Sequence, residues 1–84
     1  MVQITDRMLL ESALGLVGDR LGMMSQIARS LRTIIHGIDQ GLQPEEDPKQ
    51  LVRKVAIYCG FTMDEVIDNA AKIVNLGERD AKDS

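Results

Sequence analysis

Nucleophilic catalysis needs a thiol or hydroxyl beside a base, usually with an acid to orient that base. The chain offers one cysteine, Cys59, and one histidine, His36. Cys59 continues an apolar stripe of Leu51, Val52, Val55 and Ala56, so it reads as a small core residue. His36 falls off the apolar face of its helix and reads as solvent-facing, with a pH-sensitive contact at a subunit boundary as the alternative. Two such side chains cannot supply the roughly four ligands of a structural zinc. Acid–base chemistry by paired carboxylates has two candidate sets, Glu45-Glu46-Asp47 and Asp64-Glu65 with Asp68. Both sit at helix starts, where acids complement the helix dipole, and the first lacks the spacing of a calcium loop. Gly15, Gly18 and Gly22 follow no strand and precede no Gly-Lys-Ser/Thr, so they form no phosphate loop. The expectation is a chain without catalytic residues, cofactor or metal, one that is not an enzyme and works by contact with another macromolecule.

The elements that carry these residues are helical. At 84 residues the chain is long enough for one domain, and a domain of this size is marginal unless its packing is good or it oligomerises. Aromatic content is 2%, and Leu, Ile, Val, Ala and Met recur at helical spacing, which points to an all-α fold. Three helix starts are marked by capping residues. Thr5 precedes Asp6, with Ile4 placed to staple onto Leu9. Asp47 precedes Pro48, with Gln50 at the third helical position. Thr62 and Glu65 form a capping-box pattern, with Phe61 placed to staple onto Val66. Gly60 and Gly77 are natural stops. The reading is one domain over residues 1–77, with a helix at 6–41, a helical hairpin at 48–76, and a charged tail at 78–84 expected to be disordered.

The segment 6–41 carries a heptad series: Leu10, Leu14, Val17, Leu21, Met24, Ala28, Leu31, Ile35, Ile38 and Leu42. Ile27 and Ile34 widen the stripe. The preferred reading is one continuous helix whose seam, Leu14 through Ile38, builds a helical-bundle oligomer, a dimer foremost. Against continuity stand three glycines, each costing roughly 1 kcal/mol in a helix interior. In the alternative, a stop near Gly18–Gly22 gives helices at 6–17 and 20–41, and the chain becomes a compact four-helix monomer or dimer.

The hairpin turn bears the sharpest motif. Ala56, Gly60, Phe61, Thr62 and Val66 match the spacing of the DNA-binding helix-turn-helix: a small residue for a close crossing, glycine for the turn, an apolar residue for the angle. The Gly60-Phe61-Thr62 turn between short helices also resembles the Met-Gly-Phe loop of ubiquitin-associated domains, over the turn and its flanks alone. Charge disfavours DNA. Residues 1–61 hold seven basic against seven acidic side chains, whereas residues 62–84 hold three against six, so the net charge of −3 lies in the last helix and tail. Met23 and Leu16 form an apolar strip outside the seam, suited to a partner helix.

Function is therefore expected to be that of a small oligomeric adaptor, chaperone-like subunit or regulator that binds a protein. Met23, Gly60, Phe61, Thr62, Met63 and Asp64 are the candidate partner contacts. A dimeric DNA-binding regulator is the alternative. No apolar run approaches a membrane span and the N-terminal residues lack a signal-peptide pattern, so neither a membrane partner nor export is expected. A free thiol then suggests the cytoplasm.

Overall fold

A computed structural model of the chain describes residues 4–83, and the side chains of residues 4–74. Four helices follow one another: α1 (Asp6–Leu21), α2 (Gln26–Asp39), α3 (Pro48–Cys59) and α4 (Met63–Asp83). No strand occurs among the described residues.

The local signals act where the sequence places them. Thr5 Oγ1 accepts from the Met8 amide at 3.2 Å, and Met8 Sδ accepts from the Thr5 amide at 3.3 Å, closing a reciprocal cap. Asp47 Oδ1 accepts from the Lys49 amide at 3.1 Å, and Pro48 sits at the first turn of α3. Thr62 Oγ1 accepts from the Glu65 amide at 3.2 Å. The reciprocal half of that last box does not form, because the Glu65 carboxylate takes the Arg20 guanidinium of α1 at 3.0 Å. Gly60 is left-handed (φ 83°, ψ 26°), and the Phe61 amide donates back to the Ala56 carbonyl at 3.0 Å. That bond defines a Schellman stop, with Phe61 and Ala56 packed inward.

The expected continuous helix over 6–41 is overturned. α1 stops at Leu21, and Gly22 adopts φ 92°, ψ 149°, a conformation open to glycine almost alone. Ser25 then caps α2 by accepting from the Ala28 amide at 3.3 Å. The break falls at the far end of the Gly18–Gly22 stretch, so α1 ends at Leu21 and not at residue 17. Gly15 and Gly18 stay helical, and the space above Gly18 is used. A Cβ at Gly15 would lie 3.6 Å from Asn69 Nδ2 of α4, and one at Gly18 would collide with the Met23 sulfur. α4 continues through Gly77, the expected stop. The tail expected to be disordered lies in that helix as far as Asp83; its side chains and Ser84 lie outside the described residues.

α1 is the hub. It packs against α2, α3 and α4, which touch one another far less. Leu10, Ala13 and Val17 of α1 meet Ala28 and Leu31 of α2, Val52 and Ala56 of α3, and Val66 of α4 in one buried cluster. A fully buried Leu or Val contributes about 1.5–3 kcal/mol, so this cluster dominates stability. One polar group enters it. Ser12 Oγ is buried and donates to the Val66 carbonyl at 2.7 Å, while Asn69 Nδ2 donates to the Ser12 carbonyl at 3.2 Å. These two bonds fix the register of α4 on α1.

The seam assignment changes with the break. Val17, Ala28, Leu31 and Ile35, assigned to a subunit interface, are buried inside one chain. Leu14 and Ile38 are half-buried against the same cluster. Leu21 ends α1 and Met24 lies within the break, and they are 47% and 78% exposed. A period of three and four marks an apolar face but not the neighbour that covers it. Here α1 and α2 fold back and cover each other's stripes.

Candidate protein-binding groove

α2 presents more apolar surface than α1 can cover. Ala28, Leu31 and Ile35 face the core, while Ile27 and Ile34 stand to one side and remain half-buried. On α3, Leu51 and Val55 flank the same side. Between them runs a groove of about 250 Å³, floored by Leu31 and Val55 and walled by Ile27, Ile34 and Leu51. Past Ile34 and Leu51 it continues into a hollow of about 260 Å³ closed by Pro44, Glu45 and Glu46 of the α2–α3 loop. Tyr58 follows Leu51 and Val55 at helical spacing, so it lies on the same face of α3, and it is 76% exposed. Glu46 on the lip is paired with Lys54 of α3. The groove is therefore largely apolar within, and its loop end is acidic, with exposed Glu45 beside the Glu46–Lys54 pair.

The candidate contacts around the hairpin turn are scattered by comparison. Phe61 is a correction: it is 5% exposed, packed in the core with the Arg20 guanidinium 5.5 Å over its ring, so it offers no surface to a partner. The inward turn of the Schellman stop puts it there. Met63 is half-buried against the core, Thr62 is spent on its cap, and Gly60 and Asp64 are exposed. Met23 is 46% exposed and seated on Gly18, away from the residues that line the groove. Sequence reasoning did not select Ile27, Ile34, Leu51, Val55 or Tyr58 as contacts. The signal was present in Ile27 and Ile34, which make the α2 stripe wider than one neighbouring helix covers.

The chemistry-bearing residues have structural settings. Cys59 is half-buried beside the core and His36 is exposed, its ring 3.4 Å from Gln40 Nε2. Asp47 caps α3, Glu46 pairs with Lys54 and Glu65 with Arg20. Among the described residues, no three His, Cys, Asp or Glu side chains come together as metal ligands, and no helix is long and apolar enough to cross a membrane.

No protein-family model, curated protein or solved structure matches this chain.

Proposed function

We propose that this chain is a non-enzymatic protein-interaction module, an adaptor or regulator that receives an apolar segment of a protein partner between α2 and α3. The observation that carries this reading is the groove itself. Ile27, Ile34 and Leu51 line a trough that no described residue fills, and exposed Tyr58 lies on the same face of α3 as Leu51 and Val55. Largely apolar walls with an acidic loop end suit the hydrophobic face of a helix better than an anion or a small polar substrate. Tyrosine beside aliphatic side chains is a common anchor in such contacts. The test is affinity capture from the native host with the wild-type chain and with Tyr58→Asp, an exposed change that leaves the core intact. A partner held by the wild type and lost by the variant, at unchanged helicity, supports the reading. Equal retention by both removes the groove from it.

The helix-turn-helix alternative keeps one favourable observation, the hairpin with left-handed Gly60 and buried Ala56, Phe61 and Val66. The exposed start of α4 carries Asp64, Glu65 and Asp68, which would face phosphates. Retardation of duplex DNA at low salt, weakening as salt rises, would support this alternative over the groove.

A further inference from the structure

Leu14, Val17, Leu21, Met24, Ala28 and Leu31 keep one unbroken heptad register, yet the residues between Leu21 and Gln26 are not helical. A turn between packed helices places no demand on register across it, whereas a continuous helix does. The turn is also built mostly from helix-competent residues. Met23 and Met24 rank among good helix formers, and Gly22 alone resists strongly. Its apolar side chains are left in water: Leu21, Met23 and Met24 are 47%, 46% and 78% exposed. Finally, everything that docks on α1 lies beyond this turn, since α2, α3 and α4 each pack on α1 and little on one another.

We propose that α1 is an exchange arm: the Gly22–Ser25 turn straightens into helix, and α1 of one copy docks into the α2–α3–α4 cradle of a second copy, giving a domain-swapped dimer. The exchange rebuilds between chains every contact that α1 makes within one. Leu10, Ala13 and Val17 meet the same core, Ser12 Oγ again donates to the Val66 carbonyl, and Arg7 and Arg20 recover Asp39 and Glu65. The closed and swapped forms differ only at the hinge. Straightening gives up the 3.2 Å bond from the Ser25 amide to the Gly22 carbonyl and the Ser25 cap on Ala28. In return it supplies helical hydrogen bonds through the hinge and puts Leu21 and Met24 on the seam of one helix from Asp6 to Asp39. Each arm crosses to the other cradle at its hinge, so the two hinges meet there and cover each other's exposed apolar side chains. The proposal does not depend on what the α2–α3 groove binds.

Gly22→Ala tests it directly, because alanine is strained in the closed turn and favoured in a straight helix. Light scattering over a dilution series should show the dimer dissociation constant lowered by about two to three orders of magnitude relative to wild type. Insertion of two glycines between Met23 and Met24, which relaxes the turn and interrupts the long helix, should give monomer. A cross-link separates a swap from side-by-side association. Arg7→Cys with Asp39→Cys, on a Cys59→Ala background and joined by a short bis-maleimide, links within a chain when closed and between chains when swapped. Covalent dimer from Gly22→Ala and covalent monomer from the insertion are the expected results. A Gly22→Ala chain that stays monomeric at every concentration, or dimerises with cross-links confined to single chains, overturns the proposal. Should Gly22→Ala fail to fold, the cysteine pair with native Gly22, refolded at the highest soluble concentration, decides the matter: interchain product supports the swap and solely intrachain product refutes it.

Discussion

Arg7 and Asp39 join the beginning of α1 to the end of α2 through a forked pair, Nε to Oδ1 at 2.6 Å and Nη2 to Oδ2 at 3.0 Å. The Arg7 hydrogen bonds hold the Asp39 carboxyl below its ordinary range; desolvation opposes this and the guanidinium charge adds to it. A carboxyl depressed on folding contributes stability above its unfolded value, near pH 4, and loses that contribution as pH falls through the folded one. Asp39→Asn is therefore expected to be less stable than wild type at neutral pH. The difference should vanish in urea titrations as the pH drops well below 4. The pair is half-exposed, so added salt should shrink the difference as well. Ser12 acts at the same scale but inside the core. Ser12→Ala removes the bond to the Val66 carbonyl and should cost about 1 kcal/mol in a urea titration, with the fold unchanged.

At the scale of the elements, α3 and α4 are amphipathic helices whose junction is fixed by local chemistry. Gly60 makes the sharpest demand, since its φ of 83° lies where a Cβ crowds the following carbonyl. Gly60→Ala should lower stability by about 1–2 kcal/mol, and Gly60→Asn, which tolerates the left-handed region, by less; thermal melts of the two variants compare them. Gly22 makes a different demand. There the alternative to the turn is an uninterrupted helix, so alanine redirects the chain as well as straining it. The contrast follows from what comes next along the chain. Phe61 is anchored in the core just beyond Gly60, whereas Met23 and Met24 beyond Gly22 are exposed.

For the whole molecule, the hub arrangement decides what a core lesion does. Leu31 lies on the heptad stripe and is 1% exposed within a single chain, in the cluster that joins α1 to α2 and α3. A seam residue between subunits, replaced by a charge, would leave folded monomers. Leu31→Asp is instead expected to abolish the cooperative unfolding transition in circular dichroism, because the charge would be buried among Ala13, Val17 and their neighbours without a partner. Persistence of a cooperative melt at reduced mass would place Leu31 between chains after all.

The amino-acid order already specifies the helical class, three of the caps, the start and end of α3, the start of α4 and the close hairpin around Gly60. These features rest on contacts within about four residues, where Thr5, Asp47, Thr62 and Gly60 act on amides and carbonyls beside them. It also marked which residues of α1 and α2 are apolar. The tertiary structure alone decided what covers them. The helix runs through Gly15 and Gly18 and breaks at Gly22 instead, and Met23 folds back into the space that Gly18 leaves open. Glu65 forsakes its capping box for an arginine 45 residues away, and Phe61, which sequence reasoning offered to a partner, turns into the core. The groove likewise exists only because α2 and α3 both lean on α1 and leave Ile27, Ile34 and Leu51 incompletely covered. Local hydrogen bonding is written in neighbouring residues; burial depends on which elements meet, and that is settled by packing across the whole chain.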